Sequence, residues 1–433
     1  MFEIGVVVPS WSYWANPTKL QPLWELYYAT LIEDRFPQAR VQVIDTRGHG
    51  QVPDPADLPA CDLYFYWIMK SADAPELYAQ ARGLKMLHPK SVHMAGGTHV
   101  DHKTDECAGI FDTVFTGTAE PEIAQAIADW QAGRLEPVYR GTLPHPFSDY
   151  GHARRGFLPK ERIVNTLHFA QHGGAPGTGA YFSRGCSFRC RFCIYNTPGK
   201  FEYRTGAQIA AELAYLKAEY GIQGVNLRDE VCVPVNLKQA RDYIGAIGEA
   251  GVIWRGQTVP LGKEEAIALA AQSGCKELAL GIESVDSDRV LEISNKPSQS
   301  IDANKRYIEL LKKHGIKVKV CLIFGLPGES RHVVERTVRF LEEVQPDFVS
   351  LSGFDPVPGS PFHTEPEKYG IRWIDQSLEH HAHLIYRYGD DEEVGLPFEY
   401  EPDGPFGPAL SRREILDNIR TVQGYLRDHN MIY

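Results

Sequence analysis

The sequence predicts an α/β protein built on two parallel sheets. An N-terminal, open, doubly wound sheet of Rossmann-like type is followed by a partial (β/α)6 TIM-type barrel and a mostly helical C-terminal extension. Three observations favour this organisation. A chain of 433 residues exceeds what one hydrophobic core usually serves, strand and helix patterns alternate up to about residue 130, and six strand patterns recur from Ala180 onward. The predicted boundaries are 1–135 for the first domain, 136–178 for a linker or cover segment, 179–356 for the barrel and 357–433 for the extension.

The first domain alternates buried-strand patterns with helical ones. In chain order the patterns are FEIGVVVPS, LQPLWELYYATLIEDRF (helix), ARVQVIDTRG, CDLYFYWIM, KSVHMAGGTH, FDTVFTGT and EPEIAQAIADWQAG (helix). Such βα alternation predicts an open parallel sheet with helices on both faces. Ligands of these sheets bind beyond the C-terminal strand ends, which here carry Pro9 and Ser10, residues 45–50, residues 96–99 and residues 116–118.

From Ala180 onward strands and helices alternate again. In order the patterns are AYFSRGC, GAQIAAELAYLKAEYG (helix), IQGVNLRDE, LKQARDYIGAIGEAG (helix), VIWRGQTV, KEEAIALAAQSG (helix), KELALGIES, IDANKRYIELLKKHG (helix), IKVKVCLIFG, SRHVVERTVRFLEEV (helix) and PDFVSLSGF. Six such strands suit an incomplete (β/α) barrel, in which the chemistry takes place at the C-terminal strand ends.

Two stretches lack a regular period. The segment before the barrel is rich in Pro, Gly and His and closes on HGGAPGTG, which is typical of a linker that also covers a site. After about Phe354, DPVPGSPFH is rich in turn-forming residues, and EILDNIRTVQGYLRDHN predicts a final amphipathic helix.

Composition narrows the partners and the compartment. The formal charge of −11 argues against a phosphate-rich polymer, so no nucleic acid is expected. MFEIGVVVPS predicts a buried strand rather than a signal peptide, and no apolar run reaches the roughly 18 residues of a membrane helix, so no membrane partner is expected. The scattered cysteines are expected to be buried free thiols, which favours a cytoplasmic location. They are Cys61, Cys107, Cys232, Cys275 and Cys321.

One loop concentrates three cysteines directly after the first barrel strand. Cys186, Cys190 and Cys193 follow a C-x3-C-x2-C spacing, which is an odd set for disulfides and one ligand short of a structural zinc site. Three thiolates can bind three irons of a 4Fe–4S cluster and leave the fourth iron open to a small chelating ligand. The alternative is a zinc clip that takes a fourth ligand such as His168 or His172.

The loop and its surroundings resemble the radical S-adenosylmethionine (SAM) enzymes over about residues 178–360. The family's C-x3-C-x-aromatic-C loop is matched. In family order, NLRDE, GIES and LIFGLPGES end the second, fourth and fifth strands, and PVPGSPFH follows the sixth. The resemblance implies Cys186, Cys190 and Cys193 as cluster ligands. It also implies SAM contacts at Phe192, Arg228, Asp229, Glu230, Glu283, Ser284, Ile323, Gly325 and Leu326.

That resemblance implies a specific chemistry. In the family, SAM chelates the open iron, and an electron from the cluster cleaves SAM to methionine and a 5′-deoxyadenosyl radical, which removes hydrogen from the substrate. A 4Fe–4S cluster and SAM are therefore the expected cofactors. The expected partners are a small-molecule substrate and an electron donor such as flavodoxin or ferredoxin. The protein itself supplies positioning and excludes competing reactions.

The first domain resembles the cobalamin-binding class of the same family. Gly96 and Gly97 resemble that class's GG-P-H turn with Thr98 in place of proline, and FDTVFTGTAEPEI resembles its D-x-x-x-x-G-E-x-E segment with Thr118 replacing an acidic residue. The resemblance implies cobalamin as a further cofactor, with backbone contacts at the two glycines. The D-x-H-x-x-G cobalt-ligand motif is absent and His49 has the wrong spacing, so the alternative of ordinary tight turns stays open.

Two other groups also leave alternatives open. An aromatic group either lines a corrin face or packs in the core, and it comprises Trp11, Tyr13, Trp14, Trp24, Tyr27 and Tyr28. The cluster His380-His381-x-His383 either binds metal or belongs to a solvated or substrate-facing helix.

The leading hypothesis is a cobalamin-class radical SAM enzyme that tailors a small metabolite or natural product by C-methylation. The alternative is a cobalamin-independent radical dehydratase, epimerase or rearrangement enzyme, for example on a sugar. A third class is a non-catalytic iron–sulfur or zinc protein. No cysteine follows Cys321, which disfavours enzymes with auxiliary clusters, and Cys61 with Cys107 are too few for a methylthiotransferase.

Overall fold

The computed structural model describes residues 1–10, 19–48, 52–141, 146–194, 201–374 and 396–432. The chain divides into two compact units, Met1–Gly179 and Ala180–Tyr433. The division falls within the short strand Gly177–Ala180. The two units are described in turn.

The first unit contains a six-stranded parallel sheet. Its strands are β1 Phe2–Val8, β2 Ala39–Asp45, β3 Leu63–Trp67, β4 Val92–Gly96, β5 Thr113–Thr116 and β6 Val138–Arg140. They lie in the order β2-β1-β3-β4-β5-β6. The helices are α1 Leu23–Arg35, α2 Ala74–Leu87, α3 Thr98–His102, α4 Thr104–Ala108 and α5 Glu120–Gln131. The predicted doubly wound sheet is confirmed, because each pair of neighbouring strands is parallel.

The structure adds elements that the sequence patterns did not predict. Helix α2 lies between β3 and β4, where no helix was predicted. Strand β6 lies inside the segment interpreted as a linker and pairs with β5 at the sheet edge. It was missed because three residues, VYR, are too few to show an alternating pattern.

The second unit contains the other six-stranded parallel sheet. Its strands are β7 Gly177–Ala180, β10 Gly224–Leu227, β11 Ile253–Thr258, β12 Cys275–Glu283, β13 Lys317–Phe324 and β14 Phe348–Gly353, and a small antiparallel pair, β8 Ser183–Arg184 with β9 Glu202–Tyr203, follows β7. The six lie in sequential order from β7 to β14. The helices between them are α6 Gly206–Tyr220, α7 Leu237–Ala250, α8 Glu264–Gln272, α9 Asp288–Ile293, α10 Ile301–Lys313 and α11 Val333–Val344. The predicted partial barrel is confirmed.

The first strand of this sheet lies earlier in the chain than the pattern AYFSRGC predicts. Strand β7 has the sequence GTGA and all four of its residues are buried. The Arg228 amide donates to the Ala180 carbonyl at 2.9 Å. Glycine is normally depleted in strands, which is why this stretch was interpreted as linker.

The central strands present two different faces. On β12, Leu278, Leu280 and Ile282 are buried in the core formed with the helices, whereas Gly281 and Glu283 lie on the opposite face and are half-buried. The same period of two, which follows from strand geometry, runs through β13 and β14. The half-buried positions there are Lys317, Lys319, Cys321, Ile323, Ser350 and Ser352. Apart from Ile323, the half-buried positions of β13 and β14 on the face away from the helices therefore carry small or polar side chains.

The chain after β14 was predicted to be mostly helical, and the helical C-terminus is confirmed. The final helix, α13 Arg412–Asp428, begins with a capping box formed by Ser411 and Glu414. A short helix α12 Pro361–Thr364 and two small antiparallel pairs precede it, β15 Ile371–Trp373 with β16 Phe398–Tyr400 and β17 Asp403–Gly404 with β18 Gly407–Pro408. These pairs were not predicted. Among the helices of the described ranges, none is both long and apolar enough to cross a membrane.

Candidate active site

The three cysteines of the C-x3-C-x2-C motif lie in the loop that follows β8. All three are half-buried and outside any disulfide, and the Cys193 amide donates to the Cys190 carbonyl at 3.1 Å. Burial raises the pKa of the Cys190 thiol to about 11, although Lys296 opposes the shift. Burial also raises the pKa of Cys186. The loop therefore shields three potential thiolate ligands partly from solvent.

The segment after α9 holds this loop in place. The Arg191 amide donates to the Ser294 carbonyl at 2.9 Å, and its guanidinium donates to the Ile293 carbonyl at 2.5 Å. The Asn295 side-chain amide donates to the Arg189 carbonyl at 2.7 Å. These bonds fix the backbone on both sides of Cys190.

A buried ion pair lies beside the loop. Lys296 Nζ lies 3.0 Å from Glu283 Oε1 and 5.7 Å from the centroid of the Phe192 ring. Burial alone would lower the pKa of Lys296, but Glu283 and Cys190 outweigh it and raise that pKa. The pair therefore joins Phe192 and Glu283, two predicted SAM contacts, to the cysteine loop. Sequence reasoning did not identify Lys296, since SNKPS matches no motif.

The end of β12 adopts an uncommon backbone conformation to present Glu283. Its φ is +69°, and the register with β13 shifts between Gly281 and Glu283. A Cβ at Gly281 would lie 2.5 Å from Glu283 Oε1 and 3.3 Å from Lys296 Nζ. Left-handed conformations of non-glycine residues cluster at functional sites, so the outlier supports the prediction made for Glu283.

The NLRDE motif divides into a buried and an accessible part. Asp229 is 1% exposed, and its carboxylate accepts from the Phe182 amide at 3.0 Å and from Ser183 Oγ at 2.5 Å. Burial raises the pKa of Asp229 to about 6. The structure thus places this predicted SAM contact beneath the chain that leads into the cysteine loop.

The other two predicted contacts of this motif are half-buried. Glu230 accepts from Gln257 Nε2 at 3.0 Å, and its charge is close enough to raise the pKa of Cys186. The Arg228 backbone continues the ladder to β7. Glu230 is therefore brought to the cysteine loop from the end of β10.

The ends of β12 and β13 are joined by a carboxyl group. Glu329 Oε1 accepts from Ser284 Oγ at 3.2 Å, and Glu329 Oε2 accepts from the Gly325 amide at 2.7 Å. Burial raises the pKa of Glu329 to about 8. Leu326 is buried next to this contact, while Ile323 is half-buried on the face away from the helices. Four predicted SAM contacts are thus close together.

The donor set fits an iron–sulfur cluster. Cysteine thiolates are the usual ligands of 4Fe–4S clusters. Across the described ranges no group of three or more His, Cys, Asp and Glu side chains is arranged to hold a single metal ion. His168, proposed as the extra ligand of a zinc clip, uses Nε2 to donate to the Lys19 carbonyl at 2.7 Å.

The Gly-Gly turn of the first unit has its own packing reason. Gly97 has a φ of +113°, and a Cβ there would lie 2.5 Å from the Ile68 carbonyl oxygen. The Ile68 amide donates to the Gly96 carbonyl at 2.8 Å. The close approach explains Gly97 without a ligand, so its contact with a corrin stays a prediction.

Trp67, at the C-terminal end of the neighbouring strand β3, indicates a bound ligand. The Trp67 indole nitrogen is buried and has no hydrogen-bond partner among the described residues, and a buried N–H of this kind normally finds an acceptor. Trp67 ends β3 and packs against Tyr28 with ring centroids 4.6 Å apart and against Trp24 at 5.8 Å. The C-terminal end of β3 therefore fits a bound group that accepts a hydrogen bond from the Trp67 indole N–H. Other residues of interest lie outside the described ranges, namely Trp11, Tyr13, Trp14, His49, His380, His381 and His383.

Comparison with protein families identifies the class. Residues 180–341 match the Radical SAM superfamily. The second unit therefore contains a radical SAM domain.

Two curated relatives are methyltransferases. An uncharacterized methyltransferase of Pyrococcus horikoshii is 28% identical over 309 residues, which are 66% of this chain and 65% of the relative. Bacteriochlorophyllide d C-12(1)-methyltransferase of Chlorobaculum tepidum is 25% identical over 278 residues, which are 63% of this chain and 59% of that enzyme. The match thus spans less than two thirds of either relative.

Solved structures share the fold of both units. The radical S-adenosylmethionine methyltransferase TsrM from Kitasatospora setae, with cobalamin and a 4Fe–4S cluster bound, has a TM-score of 0.69 at 16% identity and covers 99% of this chain and 90% of that chain. The cobalamin-dependent enzyme OxsB, with aqua-cobalamin bound, has a TM-score of 0.58 at 12% identity and covers 100% of this chain and 62% of that chain. The predicted resemblance to the cobalamin-binding class is confirmed for the fold.

Proposed function

We propose that the protein is a cobalamin-dependent radical SAM methyltransferase that acts on carbon in a small metabolite or natural product. In this proposal Cys186, Cys190 and Cys193 hold the 4Fe–4S cluster. The observation that carries the proposal is that three half-buried cysteines outside any disulfide, the Lys296–Glu283 ion pair and the joined ends of β12 and β13 form one connected site.

The cofactors would supply the bond-breaking chemistry. When bound, the cluster would supply an electron for the cleavage of one SAM molecule to methionine and a 5′-deoxyadenosyl radical, which would take hydrogen from the substrate, and cobalamin would carry a methyl group supplied by a second SAM molecule. The proposed SAM contacts are Phe192, Arg228, Glu230, Glu283, Ser284, Ile323, Gly325 and Leu326. An electron donor such as flavodoxin or ferredoxin is the proposed source of the electron.

The chain's own residues position the cofactors and control charge. Lys296 remains protonated because Glu283 and Cys190 raise its pKa, so its charge offsets part of the negative charge of the thiolates. The half-buried Phe192 ring lies over this ammonium group and shields it from water. The buried Asp229 carboxylate accepts hydrogen bonds from Phe182 and Ser183 and so fixes the residues that precede the cysteine loop.

Methylation is favoured by the relatives and by the first unit. Two curated relatives are named methyltransferases, and the TsrM structure holds both cobalamin and the cluster. In this chain the buried indole N–H of Trp67 at the end of β3 is suited to a bound group, because doubly wound sheets bind ligands at that edge. We propose cobalamin for this position, with the backbone of Gly96 and Gly97 nearby.

The test uses protein purified and reconstituted without oxygen. Wild type is expected to bind about one 4Fe–4S cluster and, after reduction, to release methionine and 5′-deoxyadenosine from SAM. Replacement of Cys186, Cys190 and Cys193 by alanine should abolish both iron binding and SAM cleavage. Cys321→Ala, which removes a half-buried thiol of the same unit, is the matched control and should retain both. SAM cleavage by the triple variant would disprove the assignment.

A further inference from the structure

We propose that the C-terminal extension forms part of the SAM site, with Tyr400 as a positioning residue for the loop that follows β13. The inference rests on the proposed function, because that loop carries the proposed SAM contacts Gly325 and Leu326. Tyr400 lies on β16, which is separate in sequence from every motif used above.

The strongest contact is a buried hydrogen bond to the backbone of the loop. Tyr400 Oη donates to the Gly325 carbonyl at 2.6 Å, and Tyr400 is 6% exposed. On the other side of the same residue, the Gly325 amide donates to Glu329 at 2.7 Å. Both peptide groups that flank Gly325 are therefore held, one from the loop and one from the extension.

Further residues of the extension pack directly against the loop. Gly325 has a φ of +91°, and a Cβ there would lie 2.9 Å from Ile415 Cγ2 of α13. A Cβ at Gly328 would lie 3.6 Å from Phe406. Without side chains at these glycines, the extension lies in van der Waals contact with the loop backbone.

The supported loop is connected in turn to the cysteine loop. Glu329 accepts a hydrogen bond from the Ser284 hydroxyl. Glu283, which precedes Ser284, forms an ion pair with Lys296. A Cβ at Gly328 would lie 2.7 Å from Ile293 Cδ1, and Ile293 supplies the carbonyl that accepts from Arg191. A continuous series of contacts therefore connects Tyr400 with the cysteine loop. Removal of the Tyr400 hydroxyl is expected to change the backbone position of the residues that contact SAM.

Tyr400→Phe removes only the hydroxyl group and keeps the ring, which packs against Phe398 with centroids 5.2 Å apart. Tyr307→Phe is the matched control, because Tyr307 is 5% exposed in the same unit and its hydroxyl has no hydrogen-bond partner among the described residues. Both variants are purified as the full chain and reconstituted with cluster.

We expect Tyr400→Phe to weaken SAM binding on the order of threefold to tenfold, the value of one hydrogen bond, with iron content unchanged. Amide hydrogen exchange across residues 322–330 should become faster in Tyr400→Phe and not in Tyr307→Phe. A role confined to overall stability would lower the Tm without changing SAM affinity or the exchange of this segment.

The outcomes separate the two proposals. Wild type that binds SAM, together with a Tyr400→Phe variant whose SAM affinity and loop exchange equal those of wild type, overturns the role of Tyr400 and leaves the function standing. Wild type that takes up the cluster and fails to bind SAM overturns the proposed function and this inference with it.

Discussion

At the scale of single residues, Lys296 and Glu283 form a largely buried ion pair at the site. Their side chains are 3% and 12% exposed, and desolvation of two charges costs several kcal/mol per ion. The pair recovers this cost only while both charges are present. Glu283 also keeps a left-handed backbone, which persists only where the surroundings impose it.

Lys296→Met is therefore expected to lower the free energy of unfolding by about 3 kcal/mol, because it leaves a buried carboxylate without its cation. Lys313→Met, which breaks the exposed pair with Glu264 in the same unit, should cost less than about 1 kcal/mol. Urea unfolding of both variants measures the difference. Equal losses would mean that the buried pair does not stabilise the end of β12.

Motifs in the sequence were sufficient to propose most of the site residues, but not their surroundings. Cys186 and Glu283 stand in patterns that a linear search finds, whereas Lys296 lies in a loop without periodicity and joins the site only through the path of the chain. Asp229 stands in a motif, yet its side chain is directed inward to Phe182 and Ser183. Spacing along a strand end does not reveal that direction.

Among the elements, the turn between β4 and α3 depends on a single glycine. Gly97 combines a positive φ with contact against the Ile68 carbonyl. Any side chain there meets both backbone strain and a steric overlap. The turn is therefore fixed by packing inside the first unit.

Gly97→Ala is expected to destabilise the protein by about 3 kcal/mol or more, the sum of conformational strain and overlap. Gly133 also has a positive φ, +71°, but no heavy atom lies within 4 Å of the position that an added methyl group would take. Gly133→Ala should therefore cost only about 1 kcal/mol. Thermal unfolding of the two variants tests this contrast, and a mild effect at Gly97 would show that the turn can shift away from Ile68.

Elements with strong periodicity were predicted and weakly patterned ones were missed. Helices α6, α7 and α10 repeat apolar residues at helical spacing. Strand β7, by contrast, is GTGA, and its position is set by pairing in the sheet rather than by side-chain pattern. Local propensity could not identify it.

For the whole molecule, the two units predict two separable cofactor sites. The proposed cluster ligands lie in Ala180–Tyr433, and the ligand-suited Trp67 lies in Met1–Gly179. Loss of one cofactor need not remove the other. The fold similarity to TsrM and OxsB extends over both units.

Trp67→Phe is expected to weaken cobalamin retention on the order of threefold to tenfold, because the indole N–H is lost, with iron content unchanged. Trp130→Phe, which alters a tryptophan that packs against Phe2 at the opposite end of β1, is the control. Visible spectra after anaerobic purification with cobalamin measure retention. Wild type that takes up no corrin would favour the cobalamin-independent alternative, and equal retention by both variants would remove Trp67 from the site.

The contact between Tyr400 and Gly325 has a consequence for biosynthesis. The cysteine loop leaves the ribosome early in the second unit, whereas β16 and α13 are translated well after it. The loop after β13 therefore lacks its outer support until β16 and α13 have been translated, since domains acquire their packing as the chain becomes available. The proposed SAM site is accordingly expected to be completed only after β16 and α13 have emerged from the ribosome.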